Sequence, residues 1–445
     1  MSKAVKIALC VGLAFVFVYW LAPADLTQSQ RLVQGVVVLA VGLWLTDAVP
    51  AFAVGILVIF LSVMLLSFAG GAASFPLSVL YNTWSSPIIF LLLGGFFLAQ
   101  AVTIVGLDQR IVGFAFKIFG SKPRNLLLGI MATSGLLSML MSNTATTALM
   151  LGSAAPLIDK LGSKHPYAKA ILLGIATAAA VGGIGTAIGS PPNAIAISAL
   201  AAQNRSINFV QWMKYGFPLA IALILIAWLV IVRFFPLPSG VVLDKLHLEP
   251  RPATLGYKHY LTVVTLLLTL GLWLTTPFHG FHVAAIASVP IVVFTLTGVL
   301  GPADLKRLPW DTLMLVAGGL TLGEALNRTG LAEYYVQKLD LSAVSPLAVI
   351  LVFGYLSVVV SNVMSNTATA SLLMPLGMKL VPGHTLDIAM TTGICASFAI
   401  LLPVSTPPNA IVFSTGYLKQ SDFRITGLIV GLVGPLLTLL YLRLI

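Results

Sequence analysis

Long apolar runs separated by Pro, Gly and charged residues dominate the amino-acid sequence. Most runs are about 20 residues long, the length that an α-helix needs to cross the hydrocarbon core of a bilayer. The short alternating segments of a membrane-spanning β-barrel are absent. The pattern therefore predicts an all-α integral membrane protein with eleven transmembrane helices, at about residues 5–22, 31–48, 51–68, 87–107, 168–203, 209–233, 259–276, 281–299, 311–330, 386–419 and 423–444.

Two further segments, 121–161 and 345–381, are amphipathic, and each contains the string Ser-Asn-Thr-Ala-Thr near its midpoint. The string begins at Ser142 in the first segment and at Ser365 in the second. Each half of either segment is too short to cross the bilayer. We therefore predict two re-entrant helical hairpins that turn at the strings.

Three landmarks occur twice in the same order, which indicates an internal duplication. They are LLLGGFFLAQAVTIVGL and LVAGGLTLGEALNRTGL, then the two strings, then GSPPNAIAIS and STPPNAIVFSTG. Without the first helix, each half contains five crossings, and an odd number inverts the second half relative to the first. The predicted domains are an N-terminal transmembrane helix (1–30), a first inverted repeat (31–233, with hairpin 121–161 and broken helix 168–203), a cytoplasmic linker (234–258) and a second inverted repeat (259–445, with hairpin 345–381 and broken helix 386–419).

Composition and charge change the picture in two ways. Of the 445 residues, 58% are hydrophobic and only 8% are charged, whereas soluble domains use about 25% charged residues, so a soluble fold is excluded. The net charge of +11 would suggest nucleic acid in a soluble protein, but in a membrane protein Lys and Arg report topology. Nucleic acid is therefore not an expected partner, and the lipid bilayer is.

The distribution of positive charge predicts the orientation. Of the 24 Lys and Arg residues, 17 fall on the side of the N-terminus and 7 on the other side. Because cytoplasmic loops are rich in these residues, we expect a cytoplasmic N-terminus and an external C-terminus in the plasma (inner) membrane. Ala-Pro-Ala at 22–24 resembles a signal-peptide cleavage site, but the interfacial pair Tyr19 and Trp20 favours a retained first helix.

The duplicated polar motifs predict four helix N-termini at membrane depth. Ser, Asn and Thr cap helices, so a helix is expected to begin at each string. Ser190 and Thr406 are predicted to cap helices whose first residues are Pro191 and Pro407, where the missing N–H costs nothing. Converging N-termini attract an anion without Lys or Arg, and carbonyls freed at the breaks, with Asn oxygens, suit Na⁺.

Other features have simpler explanations. A single such motif would be read as a helix-packing patch, and only the duplication favours a substrate site. The glycine pairs serve close helix packing, and His279 and His282 are interfacial. Glu324 and Asp108 are the acids deepest in apolar runs, where snorkelling explains them better than a proton relay. No nucleophile–base pair, phosphate loop or metal-ligand spacing supports an enzyme or a resident cofactor.

At these motifs the sequence resembles the divalent anion/sodium symporter family, over nearly the whole chain after the first helix. The resemblance implies a homodimer built through a scaffold domain and an elevator-like movement of the domain that holds the motifs. It implies a substrate-binding set of Ser142, Asn143, Thr144, Ser190, Pro191, Ser365, Asn366, Thr367, Thr406 and Pro407. It implies Na⁺ ligands at Ser138, Ser142, Asn143, Gly189, Ser361, Ser365, Asn366 and Ser405.

The predicted function is sodium-coupled symport of a four-carbon dicarboxylate such as succinate, fumarate or malate. Two equivalent strings across a pseudo-two-fold axis favour an anion with two similar ends, and a duplicated cation site favours at least two Na⁺ as coupling ions. A sulfate or citrate symporter and a sodium-independent exchanger stay open as alternatives. An anion channel, a different class, would not need inverted repeats with broken helices.

Overall fold

The computed structural model describes residues 2–68, 82–120, 122–163, 165–236, 256–339 and 344–445. Within these residues the secondary structure is helical throughout, without β-strands. Most of the predicted linker 234–258 lies outside them. The α-helices in chain order are α1 (Lys3–Tyr19), α2 (Gln28–Thr46), α3 (Ala51–Phe68), α4 (Pro87–Ile104), α5 (Leu107–Phe119), α6 (Pro123–Ser138), α7 (Asn143–Leu161), α8 (Pro166–Gly182), α9 (Pro191–Ala201), α10 (Phe209–Phe234), α11 (Tyr257–Leu274), α12 (Thr276–His279), α13 (Val283–Leu296), α14 (Pro302–Leu305), α15 (Trp310–Thr329), α16 (Leu331–Gln337), α17 (Pro346–Ser361), α18 (Asn366–Leu380), α19 (Thr385–Cys395), α20 (Pro407–Ser414) and α21 (Asp422–Leu444).

The fold class agrees with the prediction of an all-α membrane protein. Among the described residues, six helices are long and apolar enough to cross a bilayer, namely α2, α4, α8 with its terminal 3-10 turn, α10, α11 and α21. Three shorter helices, α3, α13 and α17, are also apolar. The number of eleven crossings and the inverted repeats stay predictions.

One compact unit comprises Met1–Ile89, Ile195–Ser206 and Pro309–Ala396. Its centre is the pair α3 and α15, which pack closely because glycines face each other: a Cβ on Gly318 would lie 2.3 Å from the Cα of Gly55. Helix α15 also packs on α18, and α17, α18 and α19 pack on one another. This agrees with the packing role predicted for the glycine pairs.

Helix α16 is held to the loop between α1 and α2 in the same unit. Tyr334 donates its hydroxyl hydrogen to Asp25, and Lys338 lies 3.1 Å from the same carboxylate. The Tyr334 hydrogen bond, followed by the bond from Lys338, lowers the pKa of the Asp25 carboxyl. On the side of α18, Glu333 forms an ion pair with Lys379. Helix α16 therefore connects the loop between α1 and α2 to α18, the second helix of the second hairpin.

The second compact unit comprises Phe90–Ala194, Ile207–Leu308 and Ser397–Ile445. Helix α8 is its core, because α6, α7, α10 and α20 all pack on it. Two glycines bring α6 and α8 together, since a Cβ on Gly182 would lie 2.4 Å from the Cα of Gly135. Lys169 of α8 and Asp422 of α21 form a half-buried ion pair of 2.9 Å. The first hairpin, formed by α6 and α7, therefore packs on α8, a helix that is buried over most of its length.

Candidate functional site

A helix begins at each Ser-Asn-Thr string, as the capping residues predict. The Ser142 hydroxyl accepts a hydrogen bond of 3.2 Å from the amide of Ala145 at the start of α7. In the second hairpin, the Ser365 hydroxyl accepts a bond of 3.2 Å from Ala368 at the start of α18. Both serines have extended backbone conformations, so each string is the point at which the chain turns from an extended segment into a helix.

The first string lies beside a cluster of oxygen atoms. Ser138 Oγ is 2.6 Å from Asn143 Oδ1 and 2.6 Å from the carbonyl oxygen of Ala179. Gly183 and Gly189 approach the same place, because a Cβ on Gly183 would lie 2.6 Å from Asn143 Oδ1 and 2.8 Å from Gly189 O. The structure thereby brings together Ser138, Asn143 and Gly189, three of the residues predicted to bind Na⁺.

The side chain of Asn143 lies among oxygen atoms, and the amide orientation that satisfies them directs its nitrogen toward them. With the amide rotated by 180°, its nitrogen would lie 2.6 Å from Ser138 Oγ, 3.2 Å from Ala179 O and 3.3 Å from Gly189 O. In this orientation the amide nitrogen satisfies the oxygens of Ser138, Ala179 and Gly189 by hydrogen bonding. Oxygen-only ligand sets of this kind suit hard cations, so the residues present fit Na⁺.

The loop that carries Gly189 is fastened from both sides. The Asn193 side chain donates to the carbonyl oxygens of Gly183 (2.9 Å) and Thr186 (2.8 Å). The Thr186 hydroxyl bonds to the carbonyl of Met139 and accepts from the amide of Gly189 at 3.1 Å. The carbonyl of Gly189 is therefore held in position by buried bonds rather than left to a mobile loop.

Helix α9 begins at Pro191, as predicted. The Ser190 hydroxyl, 1% exposed, lies 3.3 Å from the hydroxyl of Ser397. The carbonyl oxygens of Gly183 and Thr186, which precede the break, accept hydrogen bonds from the Asn193 side chain.

In the second hairpin the structure shows unsatisfied oxygens. The Ser361 hydroxyl, 0% exposed, and Asn366 Oδ1 have no hydrogen-bond partner among the described residues. The buried hydroxyls of Thr369, Thr391 and Thr392 are also without partners there. They belong to α17, α18 and α19, which pack on one another. Buried polar atoms without partners cost about 1–3 kcal/mol each, so this hairpin also contains oxygens that a bound ion would satisfy.

The second broken helix has the predicted cap. The Thr406 hydroxyl accepts from the amide of Asn409 at 3.4 Å, and α20 begins at Pro407. The Asn409 side chain donates to the carbonyl oxygens of Ile400 (3.1 Å) and Leu402 (2.9 Å). Asn193 likewise donates to two carbonyl oxygens at the other break, those of Gly183 and Thr186. Ser405, Thr406 and Pro407 belong to the unit of the first string, where α20 packs on α7 and α8.

The predicted site residues differ in their exposure to solvent. Thr144 and Pro407 are exposed, Ser142, Asn143, Pro191, Ser365 and Asn366 are half-buried, and Thr367 is buried. None of the predicted site residues carries a charge. Within each unit the positive potential beside these residues therefore comes from helix N-termini, each equivalent to roughly +0.5 charge: that of α18 in the first unit, and those of α7, α9 and α20 in the second.

Asn193 and Asn409 were not among the predicted site residues. Both are 0% exposed, both brace the chain where its helix is broken, and in both the Oδ1 atom has no partner among the described residues. The signal was present in the sequence as the repeated Pro-Pro-Asn. It was missed because a residue after two prolines looks like part of the helix rather than of the break.

Comparison with known proteins identifies the family. The family model described as citrate transporter matches residues 36–392. The chain belongs to this family. It is therefore a multi-pass membrane transporter and not an enzyme, as the sequence predicted.

Relatives of this citrate-transporter family member are similar along its whole length. A protein of Staphylococcus saprophyticus named sodium-dependent dicarboxylate transporter SdcS is 31% identical over 477 residues, which covers 97% of this chain and 90% of the relative. The protein of the same name from Staphylococcus aureus is 31% identical over 451 residues, which covers 92% of this chain and 85% of the relative. Both names agree with the resemblance to sodium symporters of divalent anions.

A solved structure supports the fold of this family member. The YdaH transporter of Alcanivorax borkumensis, described as having an unusual topology, matches with a TM-score of 0.55 over 88% of this chain and 96% of that chain. The sequence identity of 15% limits this likeness to the fold.

Proposed function

We propose that the protein is a secondary active transporter that couples the movement of Na⁺ to uptake of a C4-dicarboxylate. The observation that supports it best is the cluster of oxygen atoms around the Asn143 side chain, which brings together Ser138 Oγ, Ala179 O and Gly189 O. Na⁺ is a transported substrate here, not a resident cofactor. The names of the staphylococcal relatives support the same coupling ion and the same substrate class.

Asn143 connects the two substrates in this proposal. It is the first residue of α7, so its side chain is beside the oxygen cluster while its backbone amide belongs to a helix N-terminus that attracts an anion. Bound Na⁺ would hold the Asn143 side chain and the carbonyl of Gly189 in one arrangement. The cation then organises the site at which the anion binds, and each substrate favours binding of the other.

The anion is proposed to be a dicarboxylate, with each carboxylate meeting one Ser-Asn-Thr string as the repeated sequence predicts. The substrate-binding set stays as predicted from the strings and the two broken helices, and the second Na⁺ site is assigned to the unsatisfied oxygens of Ser361 and Asn366. Citrate is the second candidate, because the matching family model has that description.

We also propose the predicted architecture around the site. The chain would have eleven crossings in two inverted repeats, a cytoplasmic N-terminus and an external C-terminus. Two copies would form a homodimer, and the domain that holds the strings would move across the membrane in an elevator-type cycle. The charge distribution of 17 to 7 supports the orientation.

Uptake of radiolabelled succinate into proteoliposomes tests the function. We expect uptake with an inward Na⁺ gradient and little uptake when choline replaces Na⁺. Unlabelled fumarate or malate should compete strongly, and butyrate weakly. Equal uptake without Na⁺ would contradict coupling, and sulfate or citrate as the strongest competitor would contradict the dicarboxylate assignment.

A further inference from the structure

A cavity of about 670 Å³ lies within the first compact unit, away from the residues predicted to bind substrate. It is lined by α15, α18, the end of α9 and the turn before α4. Two cations line it, Arg328 and Lys379, with one acid, Glu324, so the lining has a net charge of +1. None of the motifs in the sequence accounts for this cavity.

The cavity has a charged end and an uncharged end. On α15 it extends from Gly319 to Arg328 and on α18 from Ser371 to Lys379, which is about 12–14 Å along each helix at 1.5 Å per residue. Gly319 and Ser371 are in contact, since a Cβ on Gly319 would meet Ser371 Oγ. Both cations therefore lie at the other end, where α15 and α18 finish.

The uncharged end leads toward the second string. Ser371 is one helical turn after Thr367 on α18, and residues four apart share one face of a helix. The Ser371 hydroxyl is 1% exposed and has no hydrogen-bond partner among the described residues. Its oxygen lies against Gly319, so this hydroxyl closes the uncharged end of the cavity.

The cations at the charged end retain donor capacity. Arg328 bonds Glu324 through Nε, and a guanidinium has further N–H donors on its two terminal nitrogens. Lys379 pairs with Glu333 and has three donors. Basic residues are common in the last turn of a helix, but that preference explains neither the cavity between them nor the unsatisfied hydroxyl of Ser371.

We propose that this cavity is a capture site for the dicarboxylate, in which Arg328 and Lys379 hold the anion before it reaches the second string. The inference rests on the proposed function for the identity of the anion. Cations in a cleft raise the local concentration of an anion and its association rate, and here the paired acids Glu324 and Glu333 reduce the size of that effect. The capture site would act on the rate of loading and leave the binding residues of the strings unchanged.

The test measures the potential in the cavity directly. Asn327 lines the cavity and is exposed, whereas both native cysteines are buried. In the purified protein with Asn327→Cys, we compare the rates of reaction with a sulfonate-bearing and a trimethylammonium-bearing methanethiosulfonate. We expect Arg328→Gln and Lys379→Gln each to lower the ratio of anionic to cationic rates about 3- to 10-fold at low ionic strength.

Two matched variants control for charge and folding. Arg205→Gln removes an exposed cation of the same unit that does not line the cavity, and the ratio should not change. Glu324→Gln breaks the same ion pair as Arg328→Gln but leaves the cation, so the ratio should rise. A ratio that is the same in all four variants would refute a cation-lined capture site.

Protection by ligand identifies the anion. Succinate should slow modification of Asn327→Cys more than butyrate does, and it should still do so in the Asn366→Ala background. Protection that disappears with Asn366→Ala would belong to the string and would overturn the capture site. If the wild type transports no dicarboxylate, the proposed function fails, yet the rate ratios and the protection by succinate still decide whether the cavity captures the anion.

Discussion

Replacing Gly183 with alanine should disturb the oxygen cluster without removing any of its ligands. The added methyl group would lie 2.6 Å from Asn143 Oδ1 and 2.8 Å from Gly189 O, closer than real Cβ contacts allow. The backbone of Gly183 has φ −57° and ψ −21°, which alanine adopts readily. Any loss of Na⁺ affinity in Gly183→Ala therefore comes from crowding at the oxygen cluster and not from backbone strain.

The magnitude follows from two opposing effects. Overpacking of a rigid interior costs about 1–3 kcal/mol, while replacing a helical glycine with alanine gains about 0.5–1 kcal/mol. If the crowding acts on the ion-binding arrangement, 1–3 kcal/mol corresponds to a roughly 5- to 140-fold weaker affinity for Na⁺ at 1.4 kcal/mol per factor of ten. The backbone gain offsets part of any loss of folding stability, and the thermal midpoint without Na⁺ measures what remains.

The assay is succinate uptake as a function of Na⁺ concentration, with the thermal midpoint of the purified protein measured with and without Na⁺. Gly183→Ala should raise the Na⁺ concentration for half-maximal uptake and reduce the stabilisation by Na⁺. Gly152→Ala is the matched control, because a Cβ there has nothing within 4 Å. Wild-type dependence on Na⁺ in Gly183→Ala would refute the assignment of this cluster as a cation site.

Four further predictions follow from the same geometry. Asn143→Ala and Asn366→Ala should each abolish sodium-driven uptake while the protein still elutes as a folded species; wild-type uptake by either would remove that string from the site. Ser138→Ala should raise the Na⁺ requirement, whereas Ser134→Ala should not, because the buried Ser134 hydroxyl on the same helix donates to Ile130 O and has no other partner among the described residues. Asn193→Ala should lower the thermal midpoint, because the carbonyls of Gly183 and Thr186 each lose a donor at about 1–3 kcal/mol; an unchanged midpoint would contradict the bracing role. For orientation, an impermeant thiol reagent added outside should label Ser342→Cys and not Ser121→Cys, two positions that lie outside the described residues.

Local sequence was sufficient to predict where helices begin. The serines of both strings and Thr406 cap helices as expected, because capping depends on residues that are two or three positions apart in the chain. Apolar runs likewise identified the helices that the structure contains. These features are local, and a single sequence contains all the information they need.

Features that depend on distant residues could not be predicted in this way. The Ser190 hydroxyl lies 3.3 Å from that of Ser397, which is 207 residues away, and nothing in the local sequence indicates this contact. Glu324 pairs with Arg328 beside a cavity, and the sequence did not indicate that cavity. Helix periodicity shows which face of a helix is polar but not which helix it faces, so contacts of this kind emerge only from the packed structure.

A site built from amides, hydroxyls and helix ends has one further consequence. No residue in the predicted binding set titrates near neutral pH, so the pocket keeps the same protonation state from acidic to mildly alkaline conditions. The dependence of transport on pH should therefore follow the ionisation curve of the transported acid itself, and substrates with different acidities should show correspondingly displaced profiles on the same protein.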